Sequence, residues 1–244
     1  MTPDQPLTFT ELLPPRQGGR VFEQSFRASL GDTAPNGRVR LDALGRWIQD
    51  VAYGDVEDAG FKETAVWVVR RMRICVSRFP QFGETVRLQT FCSGMGRMWA
   101  ERRTSLVGET GSVETVALWV HLDRDSLRPA PFGPGELEDY VTASGGRKVR
   151  ARLYHPLAPS GLAFEPWHFR AADLDLANHV NNAAYWCLAE ERLIGQKPTA
   201  LDAEIEFRSP ARAGEAQFCH RGDHLWVSSR DGDPHASIVV RQGA

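Results

Sequence analysis

The segments Ile48–Tyr53 (IQDVAY) and Val180–Tyr185 (VNNAAY) carry similar residues in the same order, and the fold turns on whether that likeness is a repeat. Further along, Arg78–Glu84 (RFPQFGE) lies against Arg208–Glu215 (RSPARAGE), with one extra residue in the second copy. Each helical pattern is thus followed by a strand ending in R-x-P and a turn ending in G-E. The shared order and spacing of these features point to an internal duplication.

Working outward from the first copy, Val21–Leu30 alternates as a strand and Gly31–Gly37 (GDTAPNG) has turn chemistry. Leu41, Leu44, Ile48, Val51 and Val56, with Ala52 and Ala59, recur near helical spacing, and Gly60 supplies a stop. Strands are predicted over about Trp67–Phe79, Glu84–Ser93, Trp99–Val107 and Gly111–Asp123, separated by turns suited to antiparallel neighbours. The second copy ends in three shorter strands, Ala216–Arg221, His224–Arg230 and Ser237–Arg241. Between the copies, Arg128–Ser160 is rich in Pro, Gly and charge. The expected organisation is a leader over 1–19, a first unit over 20–130, a linker over 131–160 and a second unit over 161–244. Each unit is α+β: an antiparallel sheet that buries one apolar face by wrapping around a helix, the two units joining edge to edge about a pseudo-twofold.

Composition excludes several classes. The 244 residues are 42% hydrophobic and 25% charged with a formal net charge of -2, an ordinary globular balance without the basic excess of a general nucleic-acid binder. No apolar run has the length of a membrane span, and the opening Met1–Pro6 lacks a signal-peptide profile, so a cytoplasmic protein is expected. Cys75, Cys92, Cys187 and Cys219 are scattered, which suits buried thiols rather than a zinc or redox motif. His220, His224 and His235 read as dispersed strand and turn residues, so neither a metal nor a cofactor is expected.

Asp173–Tyr185 (DLDLANHVNNAAY) places a histidine between two aspartates and three asparagines just where a helix begins. Asn178–Tyr185 (NHVNNAAY) resembles the H-V-N-N-x-x-Y signature of acyl-acyl carrier protein thioesterases. Four further stretches resemble that family in order: Trp67–Ile74 (WVVRRMRI), Gln81–Val86 (QFGETV), Thr90–Arg103 (TFCSGMGRMWAERR) and Trp119–Arg128 (WVHLDRDSLR). The resemblance implies a double hotdog fold and hydrolysis of the thioester between a fatty acyl chain and the phosphopantetheine arm of its carrier protein.

Such chemistry needs an activated water or a nucleophile near the carbonyl and donors where the oxyanion forms. His179 before a helix start, with Asp175 upstream to orient it or to activate water, fits the first need. The helix-start amides of Val180 and Asn181 fit the second. One of Asn181 and Asn182 is expected to cap the helix, the other to bind a backbone carbonyl across the interface between the halves. The resemblance implies an asparagine where this chain has Ala177, so that either adjacent Asn178 takes its role or the role is empty, and a glutamate, in some members followed by cysteine, where it has Pro210 and Ala211. Cys187, inside the helix, reads as packing. Glu204 and Glu206 share a strand face that is expected to meet solvent. An acyl slot in the first half would be lined by Trp47, Ile48, Val51, Met72, Ile74 and Trp99, and an acidic carrier protein would dock on Arg70, Arg71, Arg147, Lys148 and Arg150. The fused duplication permits a monomer or a homodimer. Two other readings compete: an acyl-binding or carrier-binding relative without turnover, and a hydratase or dehydratase of the same fold.

Overall fold

The apolar spacing from Leu41 to Val51 becomes a helix, α1 (Leu41–Asp58), whose Leu41, Leu44, Trp47, Ile48 and Val51 are buried against the sheet. The computed structural model describes residues 9–14, 19–60, 66–133 and 137–242; most of the expected leader lies outside these residues. Among them ten strands form one antiparallel sheet: β1 (Phe22–Arg27), β2 (Val66–Arg78), β3 (Thr85–Met95), β4 (Trp99–Val107), β5 (Ser112–Leu122), β6 (Glu165–Phe169), β7 (Leu201–Phe207), β8 (Gly214–Arg221), β9 (His224–Ser229) and β10 (Pro234–Gln242). The spatial order is β1-β3-β4-β5-β2-β7-β10-β9-β8-β6, so the second five strands repeat the order of the first five about the β2–β7 seam. The sheets of the two halves meet edge to edge at that seam as one continuous sheet.

That seam has a defined register. Met72 faces Ile205 and Ile74 faces Ala203, all buried in the core, while the intervening pairs Arg71 with Glu206 and Arg73 with Glu204 carry opposite charges on the other face. A slip of one residue would turn arginine and glutamate into the core, which is why this edge pairs in one way. In the second half a 3-10 turn (Asn182–Tyr185) leads into α3 (Trp186–Leu193), which crosses α1. Gly45 makes that crossing possible, because a Cβ there would stand 2.9 Å from Trp186 Cδ1.

The repeat is real but its register differs from the sequence expectation. Val39, not Ile48, stands where Val180 stands. Val39 N–H donates to Pro80 O (2.8 Å) as Val180 N–H donates to Ala211 O (2.9 Å). Ala34 N–H donates to Arg38 O (2.8 Å) as Asp175 N–H does to His179 O (2.9 Å), and Arg40 N–H to Asp32 O (2.9 Å) as Asn181 N–H to Asp173 O (2.8 Å). IQDVAY and VNNAAY do not mark equivalent positions: Ile48–Tyr53 lies in the middle of α1, whereas Val180 precedes the 3-10 turn and Asn181 is its N-cap.

The expected linker is folded onto the molecule. It contains α2 (Glu138–Ser144), whose Tyr140 and Ala143 pack on Cys92 and Met95 of β3. Beyond it the chain runs over the sheet's charged face: Met95 N–H donates to Arg147 O (2.9 Å) and Trp99 Nε1 to Val149 O (2.9 Å). Glu204 and Glu206, expected at the solvent, are both fully buried there. Glu206 accepts from the N–H groups of Tyr154 (2.5 Å) and His155 (3.0 Å), and Glu204 accepts from Thr10 N–H (3.0 Å). The covering chain removes water from that face and replaces it with backbone donors. No described helix is long and apolar enough to cross a membrane.

Candidate active site

After β6 the chain makes a 3-10 turn (Ala171–Asp173), closed by Asp173, whose carboxylate accepts Arg170 N–H (2.8 Å) and pairs with the Arg170 guanidinium (2.7 Å). Residues 174–180 then form a tight loop pinned at its base by a bridge between Leu174 and Val180. Asp175 holds the loop from within: its Oδ1 accepts Ala177 N–H (2.9 Å) and His179 N–H (3.4 Å), and its carbonyl accepts Asn178 N–H (2.9 Å). This is the turn-forming use of an aspartate side chain. It places the carboxylate at the start of the loop and half-buried His179 at its end, directly before the helix.

Asn178 has φ 57°, in the left-handed region, and its counterpart Gly37 has φ 85°. Asparagine and glycine adopt that conformation at least cost, so this geometry explains Asn178 without a catalytic role. The expected oxyanion amides need correction. Val180 N–H and Asn181 N–H are both spent, on Ala211 O and Asp173 O. Asn181 is the N-cap, its Oδ1 accepting Ala183 N–H (2.8 Å), and Ala184 N–H goes to Asn181 O (2.9 Å). Asn182, first residue of the 3-10 turn, has the helix-start amide that the helix itself leaves open.

Two residues that the sequence reading did not single out complete the setting. Gln49, from α1 of the other half, donates from Nε2 to Asn181 Oδ1 (3.0 Å) and accepts at Oε1 from Asn182 Nδ2 (3.2 Å). In the first half, Arg38 occupies the place of His179 and makes a two-pronged ion pair with Glu190 of α3 (2.9 and 2.7 Å), with both side chains buried. Ala34 occupies the place of Asp175. The two loops share a backbone, and only the second carries a histidine and a carboxylate. The signal was present in the sequence as Asp32 to Val39 against Asp173 to Val180, with Gly37 opposite Asn178.

The remaining expected residues separate. Trp47, Ile48, Val51, Met72 and Ile74 join one core between α1 and the sheet, with Trp47 stacked on Phe26 at 5.7 Å. Trp99 lies on the opposite face of β4 from Arg102, which reaches Asp55 of α1 (2.6 Å), and so does not line that core. Arg71 is buried, donating to Arg152 O and lying 4.0 Å from Glu204; Arg147 pairs with Glu101 (2.5 Å). Arg70 donates to Phe207 O (2.7 Å), and burial together with nearby Arg208 lowers its pKa. Of the expected docking residues only Lys148 and Arg150 are exposed. Pro210 and Ala211 bring no side-chain acid or thiol to the site; Ala211 contributes its carbonyl to Val180. Burial pushes the Cys187 thiol up to about 11, which suits packing rather than attack.

One group of metal-type donors occurs elsewhere. Ligand atoms of His155, Glu204 and Glu206 lie within 4.8 Å of one another. Arg71 stands 4.0 Å from Glu204 and Arg208 3.9 Å from Glu206, so each carboxylate has a guanidinium beside it. Burial pushes the Glu204 carboxyl up, but the His155 ring 3.5 Å away, the Thr10 N–H and the charge of Arg71 outweigh it and hold it below the usual carboxylate range.

Comparison with known proteins follows the same two-part division. Residues 19–140 match the acyl-ACP thioesterase N-terminal domain and residues 160–223 the acyl-ACP thioesterase C-terminal domain. An uncharacterized Mycobacterium tuberculosis protein, Rv2001, is 26% identical over 202 residues, covering 81% of this chain and 80% of that one. The chloroplastic palmitoyl-acyl carrier protein thioesterase of Arabidopsis thaliana is 29% identical over 202 residues, covering 70% of this chain and 47% of the plant protein. Among solved structures, an acyl-ACP thioesterase from Bacteroides thetaiotaomicron superposes with TM-score 0.74 at 17% identity, covering 91% of this chain and 98% of the other. The 12:0-ACP thioesterase from Umbellularia californica gives 0.71 at 17%, with the same coverage. Two successive domain matches, spanning both halves of the repeat and the loop that carries His179, establish that the chain belongs to the acyl-ACP thioesterase family.

Proposed function

We propose that this chain is a thioesterase with two fused hotdog units, hydrolysing fatty acyl thioesters of an acyl carrier protein to the free acid and the carrier thiol. The observation that carries this reading is the contrast between two equivalent loops, of which one keeps Asp175 and His179 and the other has Ala34 and Arg38. In the proposed reaction, His179 removes a proton from water as the water oxygen bonds to the thioester carbonyl carbon. The resulting oxyanion lies against the helix-start amide of Asn182, at the positive end of the helix dipole. Collapse breaks the carbon–sulfur bond, and the proton passes from His179 to the departing thiolate. Asp175 acts by fixing the loop that presents the histidine.

The test is release of free thiol from acyl thioesters of carrier protein and of coenzyme A across chain lengths, with wild type against His179→Ala. Hydrolysis that disappears in the variant supports the reading; wild-type rates no faster than buffer overturn it. Ala177 and Pro210, where the family resemblance implies polar side chains, favour a second reading in which the chain binds acyl thioesters without turning them over. That reading predicts saturable binding with no thiol release.

A further inference from the structure

The two halves differ at one position whose consequence falls on the oxyanion amide. Counting along the shared backbone, Leu41 of α1 stands where Asn182 stands, and Gln49 of α1 stands where Glu190 of α3 stands. In the first half, Glu190 Oε1 accepts Leu41 N–H at 2.6 Å, so a carboxylate reaching over from the other half consumes the helix-start amide. The same carboxylate is anchored by Arg38. In the second half, the reaching side chain is the neutral amide of Gln49, and it engages Asn181 Oδ1 (3.0 Å) and Asn182 Nδ2 (3.2 Å), which are side-chain atoms.

We infer that Gln49 is a positioning residue that keeps the Asn182 N–H open for the thioester oxygen, and that a carboxylate at this position would close the site as Glu190 closes the other half. The argument rests on the proposed hydrolase reading and on three physical points. A carboxylate is the strongest acceptor available for a helix-start N–H and sits favourably at the positive end of the dipole. It has no proton to give to Asn181 Oδ1, so one of the two hydrogen bonds that now hold residue 49 on the side chains would be lost, leaving only the one it accepts from Asn182 Nδ2. The first half shows the outcome in this same chain. The exchange of amide for carboxylate at this position, beside the exchange of His179 for Arg38, accompanies the difference between an open and an occupied helix-start amide.

Four variants of the full chain, Gln49→Glu, Asn182→Pro, Asn182→Ala and the Gln49→Glu/Asn182→Pro double variant, assayed for thiol release and for folding by circular dichroism, test this. Gln49→Glu is expected to lower kcat about 100-fold, the scale of losing one oxyanion donor, with KM changed less than about threefold. Asn182→Pro removes the N–H itself while keeping the helix start, since proline suits the first helical position and Asn181 already has the extended backbone (φ -58°, ψ 139°) that a residue before proline requires. It is expected to lose kcat by a similar factor, and the double variant to lose no more than either single one. Asn182→Ala keeps the N–H and is expected to remain at least tenfold faster than Asn182→Pro. Hydrogen exchange at the Asn182 amide should slow in Gln49→Glu. Folded Gln49→Glu with kcat within about threefold of wild type, or multiplicative losses in the double variant, would overturn the inference while leaving the hydrolase reading standing. A wild type without thiol release overturns both.

Discussion

At the level of single residues, Asn178 and Cys187 show how geometry assigns roles that residue type leaves open. Asn178 is held at φ 57° in a turn whose counterpart uses Gly37. Asn178→Gly is therefore expected to keep hydrolysis within about twofold, whereas Asn178→Val should destabilise the fold by roughly 1–2 kcal/mol, because a β-branched side chain is strained in the left-handed region. Rates and denaturant midpoints measure both, and a large loss of kcat in the glycine variant would show that the side chain acts in the reaction. The Cys187 thiol, raised to about 11 by burial and by the charges of Asp42 and Asp173, holds almost no thiolate at neutral pH. If the proposed hydrolysis holds, Cys187→Ser is expected to retain it, and iodoacetamide should not abolish it in the native protein. The tight loop around Asp175 was legible in the sequence, but the partners of its carboxylate were not. Its carboxylate binds two amides of its own loop, a local geometry that sequence spacing does not distinguish from contact with an imidazole.

Among secondary-structure elements, the crossing of α1 and α3 carries the most stored dependence. Arg38 and Glu190 are buried together, and Glu190 also caps Leu41, so one carboxylate serves a guanidinium and a helix start. Glu190→Ala would leave the guanidinium buried without its partner, and a loss of about 3–5 kcal/mol in denaturant unfolding is expected. A loss below about 1 kcal/mol would mean that Arg38 finds water or another acceptor. Gly45 is a second pressure point, since its missing side chain is the space that Trp186 occupies. Gly45→Leu should cost at least about 1–3 kcal/mol through overpacking, measurable in the same way. The strands themselves were readable. Predicted spans such as Trp99–Val107 coincide with those observed, because alternation and turn residues act between near neighbours. The second helix was less so: a 3-10 turn replaces its first turn, where Asn181 and Asn182 favour side-chain caps over continued helix.

On the scale of the whole molecule, one sheet has an apolar face toward the helices and a charged face covered by the chain between the halves. His224 lies within that cover, stacked on Trp226 and edge-on to His155. Burial, with His155 and Arg208 nearby, pushes it down to about 3. Its folded value is below the unfolded one, so the unfolded chain binds a proton that the fold refuses, and stability falls as pH drops from about 6.5 toward 3. His224→Phe, which keeps the stacking and removes the titration, should flatten stability against pH over that window by roughly 2–4 kcal/mol. An unchanged slope would place the acid sensitivity in other groups. By itself the sequence determined the alternation of strands and helices, the existence of a repeat and the loop that holds His179, because periodicity and turn chemistry are properties of neighbouring residues. Only the tertiary structure decided the register of that repeat, the burial of Glu204 and Glu206, and the partners of Arg38 and Gln49. Those outcomes depend on contacts between residues as far apart as Arg38 and Glu190, 152 positions along the chain, where a charge's surroundings are set by which edge of the sheet meets which.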